Sequence, residues 1–196
     1  MSRAALRDDE IAEFRGQTVA AATRLFASRG YEGVTLRGIA AELGTSAMAP
    51  YRYFPGGKAE IFAEVRAAAF RAFAEGQERA FAGEADPLVR LLRMREAYVA
   101  FALDHAAEYR VMFALDQEPD EAWPAVATER YRSFRLLEEA VRLAVAAGAL
   151  TGDPAEVAHL LWATTHGMVS LHLAGKLTLG LDLAALLAAP PLRFGG

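Results

Sequence analysis

Residues 35–58 read TLRGIAAELGTSAMAPYRYFPGGK, and the fold is decided here. Leu36, Ile39, Ala40 and Leu43 recur at i, i+3, i+4 and i+7, the spacing of one buried helix face, and Thr35 stands where an N-cap hydroxyl accepts a backbone N–H. The pattern predicts a short helix over 35–43. Gly44 follows where helices commonly exit through a left-handed residue, and Ser46 offers a second N-cap three positions after that helix ends. Two short helices joined by so tight a turn must cross steeply. This is the helix-turn-helix arrangement, in which the second helix can enter a DNA major groove while the first lies across the backbone.

The residues that follow carry groups suited to phosphate. Tyr51, Arg52 and Tyr53 supply hydroxyls and a guanidinium, Phe54 an apolar anchor, and Pro55-Gly56-Gly57 a turn that sets Lys58 at the start of another helix. Thr35, Ile39, Ala40, Gly44, Ser46, Tyr51, Tyr53, Phe54 and Lys58 match, in type and order, a pattern running from T-x-x-x-I-A through G-x-S to Y-x-[HY]-F and a later lysine. The stretch resembles the N-terminal domain of TetR-type transcriptional regulators. Two residues depart from that pattern. Gly38 lowers the stability of the first helix by up to about 1 kcal/mol relative to alanine. With Ser46 as N-cap, Pro50 is the fourth residue of the second helix, gives up its first internal bond and pushes Ala49 toward extended geometry. The second helix is therefore expected to be short or to start irregularly.

Outside this stretch, the 196 residues with 54% hydrophobic content suffice for a real core and one or two domains. Arg, Asp, Glu or His interrupts every apolar run before it reaches the roughly 18 residues of a membrane span, and the MSRAALRDDE start is too polar for a signal peptide. A cytoplasmic protein with no membrane partner is expected. The absence of cysteine excludes disulfides and thiolate metal sites. The net charge of −4 divides unevenly: residues 1–58 carry +2 and residues 59–196 carry −6. So modest a basic excess in the head predicts a few phosphate contacts per subunit.

In chain order, Ile11, Phe14, Thr18, Ala22, Leu25 and Phe26 form the stripe of a first helix ended by Gly30, with residues 1–8 fraying before it. With the helix pair it makes a three-helix bundle whose expected core is Phe14, Leu25, Phe26, Leu36, Ile39, Leu43, Tyr51 or Tyr53, and Phe54. A long helix is predicted over 58–81, then helices over 88–102 and from the Asp104-His105 corner to Phe113. Residues 116–120 form an acidic loop, and two longer helices cover 123–147, ended by Gly148, and 154–175, started by Asp153-Pro154. A last apolar helix follows Gly180, before a proline-rich tail. Nothing alternates like a strand, so the fold class is all-α. The expected organisation is a DNA-binding domain over 9–57, with its motif at about 34–54, and a helical effector-binding and dimerisation domain over 58–196. Alanine- and glycine-rich helices allow close approach, and 123–147 with 154–175 are the candidates for a four-helix homodimer interface. Residues 97–175, with Trp162, His166 and Gly167, resemble the WHG-type C-terminal regulatory domain of the same family.

The four histidines, His105, His159, His166 and His172, lack the i, i+4 spacing of a zinc helix, and no catalytic triad, P-loop or dinucleotide fingerprint is present. They read as hydrogen-bonded core or interface residues. No catalytic residue, metal ligand or cofactor is expected. Met94, Tyr98, Phe101, Met112, Phe113, Trp123, Trp162, His166 and Met168 could line a cavity for an apolar effector; the resemblance implies such a pocket between the long helix after Lys58 and the body helices.

These readings lead to a dimeric regulator on a two-fold DNA operator, most simply a repressor released by a small apolar effector. Thr35, Tyr51, Tyr53 and Lys58 are expected to hold phosphates, and Arg37, Thr45, Ala47, Met48 and Arg52 to lie near base edges or backbone, beside the capping Ser46. Ala47 and Met48 can make only apolar contacts such as to a thymine methyl, while Arg37 can bind guanine bidentately and is the expected specificity residue. The competing reading is a helical enzyme or ligand carrier whose helix-turn-helix is structural.

Overall fold

In a computed structural model of the chain, the structure describes residues 8–113 and 122–189. Among them nine helices and no strand occur: α1 (Asp8–Arg29), α2 (Leu36–Glu42), α3 (Ala49–Tyr53), α4 (Gly57–Phe81), α5 (Pro87–Asp104), α6 (Ala106–Met112), α7 (Pro124–Ala146), α8 (Pro154–Leu173) and α9 (Leu183–Ala188). The all-α class is as the periodicity predicts. The acidic loop over 116–120 and the proline-rich tail lie outside the described residues. The described residues form two compact units, one from residues up to 76 with 105–134, the other from 77–104 with residues from 135 on.

The first unit is built on a core of Ala22, Leu25 and Phe26 from α1, Val34, Leu36 and Ile39 at α2, Phe54 after α3, and Ile61, Phe62 and Val65 from α4. Leu43 and Tyr53 pack against this core, while Tyr51 is 51% exposed, so Tyr53 is the inward tyrosine. Phe14 contributes by packing its ring 4.8 Å from that of Tyr53. Val111 of α6 completes the cluster, a contribution from a segment that sequence reading assigned to the body. On the α4 side, Glu129 of α7 is gripped by Arg71 at 3.0 Å and Arg132 at 3.1 Å. Burial works to raise its pKa, but these hydrogen bonds and charges prevail and hold the carboxyl below its ordinary value.

The second unit packs α5 against α8 and α8 against α9. Asp153 caps α8 by accepting the Ala155 and Glu156 N–H groups, and the preceding α7 is followed by Gly148 at φ +71°. Gln77 is buried and donates to the Met94 carbonyl at 3.2 Å; Arg95 of α5 donates to the Leu187 carbonyl of α9 at 2.8 Å. Ala158, Thr165 and Val169 form the buried side of α8. At 100° per residue the opposite side carries Leu160, Thr164, Gly167 and Leu171, of which Leu160 is 60% and Leu171 47% exposed. A Cβ at Gly167 would meet nothing within 4 Å.

Candidate nucleic-acid interface

The turn between α2 and α3 is made by backbone bonds that leave little choice of path. The Thr35 hydroxyl accepts the Gly38 N–H at 3.0 Å and starts α2. At its other end Gly44, at φ +63°, donates to Ala41 O, and Thr45 donates to Ala40 O, the paired closure of a left-handed glycine cap. This much agrees with the sequence reading. Ser46 does not. The second helix begins at Ala49 with Met48 at the N-cap and no side-chain cap bond, and the Ser46 carbonyl instead accepts the Ala49 N–H at 2.9 Å. The cause is Pro50: it has no N–H to give to Ser46, and its ring excludes a helical carbonyl four residues back, so the helix can start only where Pro50 falls in the first turn.

The result is a helix of five residues whose inner side is fixed by buried Pro50 and Phe54. Met48, Tyr51 and Arg52 lie within about 100° of one another around its axis, and all three are exposed, Met48 at 70%. Arg37, Ser46 and Ala47 are also exposed, and Thr45 is half-buried. Thr35 is exposed and, having accepted one bond, still has a hydroxyl proton to donate. Tyr53 is half-buried against Phe14. Lys58 is held inside the unit, where its Nζ donates to the Tyr31 carbonyl at 3.2 Å and lies 4.0 Å from the Tyr31 ring centroid. Two of its three ammonium protons remain for a phosphate.

The residues predicted to line an effector pocket fall into both compact units. Met112 is buried in the first, where Phe113 packs 5.9 Å from Phe70 and 5.0 Å from Tyr109, and Trp123 is half-buried ahead of α7. In the second unit Met94 and Tyr98 are buried and Phe101 and Met168 half-buried. There the Tyr98 hydroxyl lies 3.1 Å from His166 Nδ1, His166 Nε2 lies 3.2 Å from the Ser170 hydroxyl, and the Trp162 ring is 5.9 Å from the imidazole. Burial pushes the His166 imidazole below its ordinary pKa. Ser170, one turn beyond His166, was missed from sequence; its i+4 spacing was the available signal. Of the other histidines, His159 places Nδ1 2.8 Å from the Ala155 carbonyl, and His105 and His172 are exposed.

Residues 19–65 match the family described as bacterial regulatory proteins, tetR family, and residues 91–189, more than half of the chain, match the tetracyclin repressor-like C-terminal domain. This chain belongs to the TetR family. Its α2–α3 pair is accordingly a DNA-binding helix-turn-helix of a transcriptional regulator. A protein of unknown function from Rhodococcus sp. RHA1 is 28% identical, with a TM-score of 0.75 over 88% of this chain and 89% of that one. The TetR family regulator PfmR from Thermus thermophilus is 23% identical, with a TM-score of 0.70 over 87% of this chain and 92% of its own, and shares the fold. So does the regulator FadR from Bacillus subtilis, solved in complex with stearoyl-CoA: 18% identical, with a TM-score of 0.74 over 88% and 92% of the two chains. No curated protein matches the chain significantly. No described helix is long and apolar enough to cross a membrane.

Proposed function

We propose that this TetR-family chain acts as a homodimeric repressor, released from a two-fold operator by a small, largely apolar effector. Residues 9–57 would form the DNA-binding part and 58–196 the effector and dimer part. The observation that carries the reading is the division of α3 into an anchored side, Pro50 and Phe54, and an uncovered side, Met48, Tyr51 and Arg52. A rigid inner side and a bare outer side carrying a cation, a hydroxyl and an apolar tip suit a groove with phosphates at its rim. Arg37 and Arg52 would read guanine, Ala47 and Met48 thymine methyls, and Thr35, Thr45, Ser46, Tyr51, Tyr53 and Lys58 would hold backbone.

A helix as short as α3 contacts little DNA alone, so two copies are needed. Beyond its first turn, where Glu156 stands, the outer side of α8 is uncharged, and Leu160, Thr164, Gly167 and Leu171 there support pairing through α7 and α8, with Gly167 letting the backbones approach. The effector site would draw on Met94, Tyr98, Phe101, Trp162 and Met168, with the Tyr98–His166–Ser170 chain as its polar contact. FadR, solved in complex with stearoyl-CoA, lends support to a ligand with an apolar acyl portion. Effector binding can release DNA only by favouring a conformation in which the two heads no longer match the half-sites, and α4 is the lever that would carry the change. Selecting duplexes from a random pool, then footprinting the winner at two salt concentrations, tests this. Two protected half-sites about one helical turn or a multiple apart are expected; failure to enrich any sequence would sink the proposal.

A further inference from the structure

Five residues are far too few for a helix to persist by its own hydrogen bonds, and α3 has no side-chain cap at its start. Its orientation must be imposed from outside. At its far end one side chain does this from 38 residues away: Arg15 of α1 donates from one guanidinium nitrogen to the Tyr53 carbonyl, the last of α3. The same guanidinium carbon lies 4.3 Å from the centroid of the buried Phe54 ring. Its other nitrogen meets two carboxylates of α4, Glu64 at 2.8 Å and Glu60 at 3.4 Å. Glu60 in turn accepts the Gly56 N–H at 2.8 Å through its second oxygen, so the turn leaving α3 is tied to the same group. Helix C-termini carry partial negative charge, which favours a cation there, and the fork of a guanidinium can serve a carbonyl and carboxylates together, as an ammonium cannot.

We propose that Arg15 is a positioning residue for DNA recognition, keying the carbonyl end of α3 to the first turns of α4 through Glu60 and Glu64. It sets the angle at which Met48, Tyr51 and Arg52 are presented, and it makes no DNA contact of its own. The inference rests on the reading that α3 enters the groove, and its test has one arm that does not.

The full-length protein is compared with Arg15→Gln, Arg15→Lys and Glu60→Gln. In the first arm, without DNA, amide hydrogen exchange is followed at residues 51–54, 56 and 57 and at Leu25 and Phe26. Arg15→Gln is expected to speed exchange at the Phe54 and Gly57 amides by about tenfold or more, with Leu25 and Phe26 unchanged and Arg15→Lys in between. In the second arm, affinity for the duplex selected from a random pool is measured against salt. Arg15→Gln should weaken binding about tenfold or more at every salt concentration without changing the slope, with partial rescue in Arg15→Lys and a weaker loss in Glu60→Gln. Unchanged exchange at 54 and 57 would overturn the proposal. So would a slope reduced by about one, the mark of a lost phosphate contact. Should the unaltered protein select no duplex, it is the groove reading that fails, and the exchange arm alone decides whether Arg15 holds α3.

Discussion

Lys58 donates to the carbonyl of Tyr31 at 3.2 Å and lies 4.0 Å above the ring of the same residue. That ring packs 4.9 Å from Phe62 and 5.9 Å from Phe26 in the core. One side chain thus ties the loop after α1 to the start of α4. Lys58→Ala should cost about 1–2 kcal/mol of stability from the lost hydrogen bond and cation–π contact. It should also weaken all DNA sequences alike and flatten the salt slope by about one. Urea unfolding with salt-dependent binding checks both; a slope unchanged after the substitution would remove Lys58 from the phosphate contacts.

Arg37 and Arg52 are both exposed arginines of the helix-turn-helix, and each can engage guanine. Arg37→Ala is expected to cost about 1–3 kcal/mol and to relax preference at one base pair, as is Arg52→Ala at a different one. Repeating the duplex selection with each variant shows which position loses its preference. An unaltered selected site for Arg37→Ala would mean that this arginine does not read a base.

Leu160 and Leu171 stand on the uncovered side of α8. Leu160→Glu and Leu171→Glu should each raise the dissociation constant of the proposed dimer by at least about a hundredfold, because a two-fold interface there would bury each unpaired charge twice. Helix content should not change, since both positions are open within one chain. Sedimentation and circular dichroism measure the two effects. A variant that stays dimeric would place the interface elsewhere.

His166 gives a pH signature with a definite sign. Its pKa is lowered by burial in the folded chain, whereas the unfolded chain takes up the proton near the ordinary value of about 6.5. Above that pH the group contributes nothing. As pH falls below it, the unfolded state binds more protons and stability drops until the folded pKa is passed. Urea unfolding of the wild type and His166→Gln between about pH 7.5 and about pH 5, a window that brackets the unfolded value, should show a smaller loss in the variant, and equal losses would contradict the assignment.

The parts legible from sequence were those whose cause lies within one helical turn. Thr35, Gly44, Gly148 and Asp153 act on their own backbone or that of close neighbours, and each marks a boundary where expected. Ser46 failed because its capping competed with Pro50, and local preference alone could not rank the two. Arg15 and Val111 were illegible for another reason. Their partners are distant in sequence, and no periodicity announces that a residue of α6 joins the core of the DNA-binding head. Of the site, residue types were readable and postures were not: Tyr51 and Tyr53 look alike as letters, yet one is exposed and the other packs on Phe14.

The brevity of α3 limits how much information one head can extract. At about 1.5 Å per residue the helix is roughly 7.5 Å long, the span of about two base-pair steps of about 3.4 Å. In the proposed dimer the two α3 helices by themselves would specify about four to six base pairs, while a unique address among about a million competing sites requires about ten. Beyond what Arg37, Ala47 and Met48 would add, the balance would come from the spacing between half-sites and from the ease with which the intervening duplex bends. Operators of this protein should therefore be told apart as much by the mechanics of their central, untouched bases as by the letters at their ends.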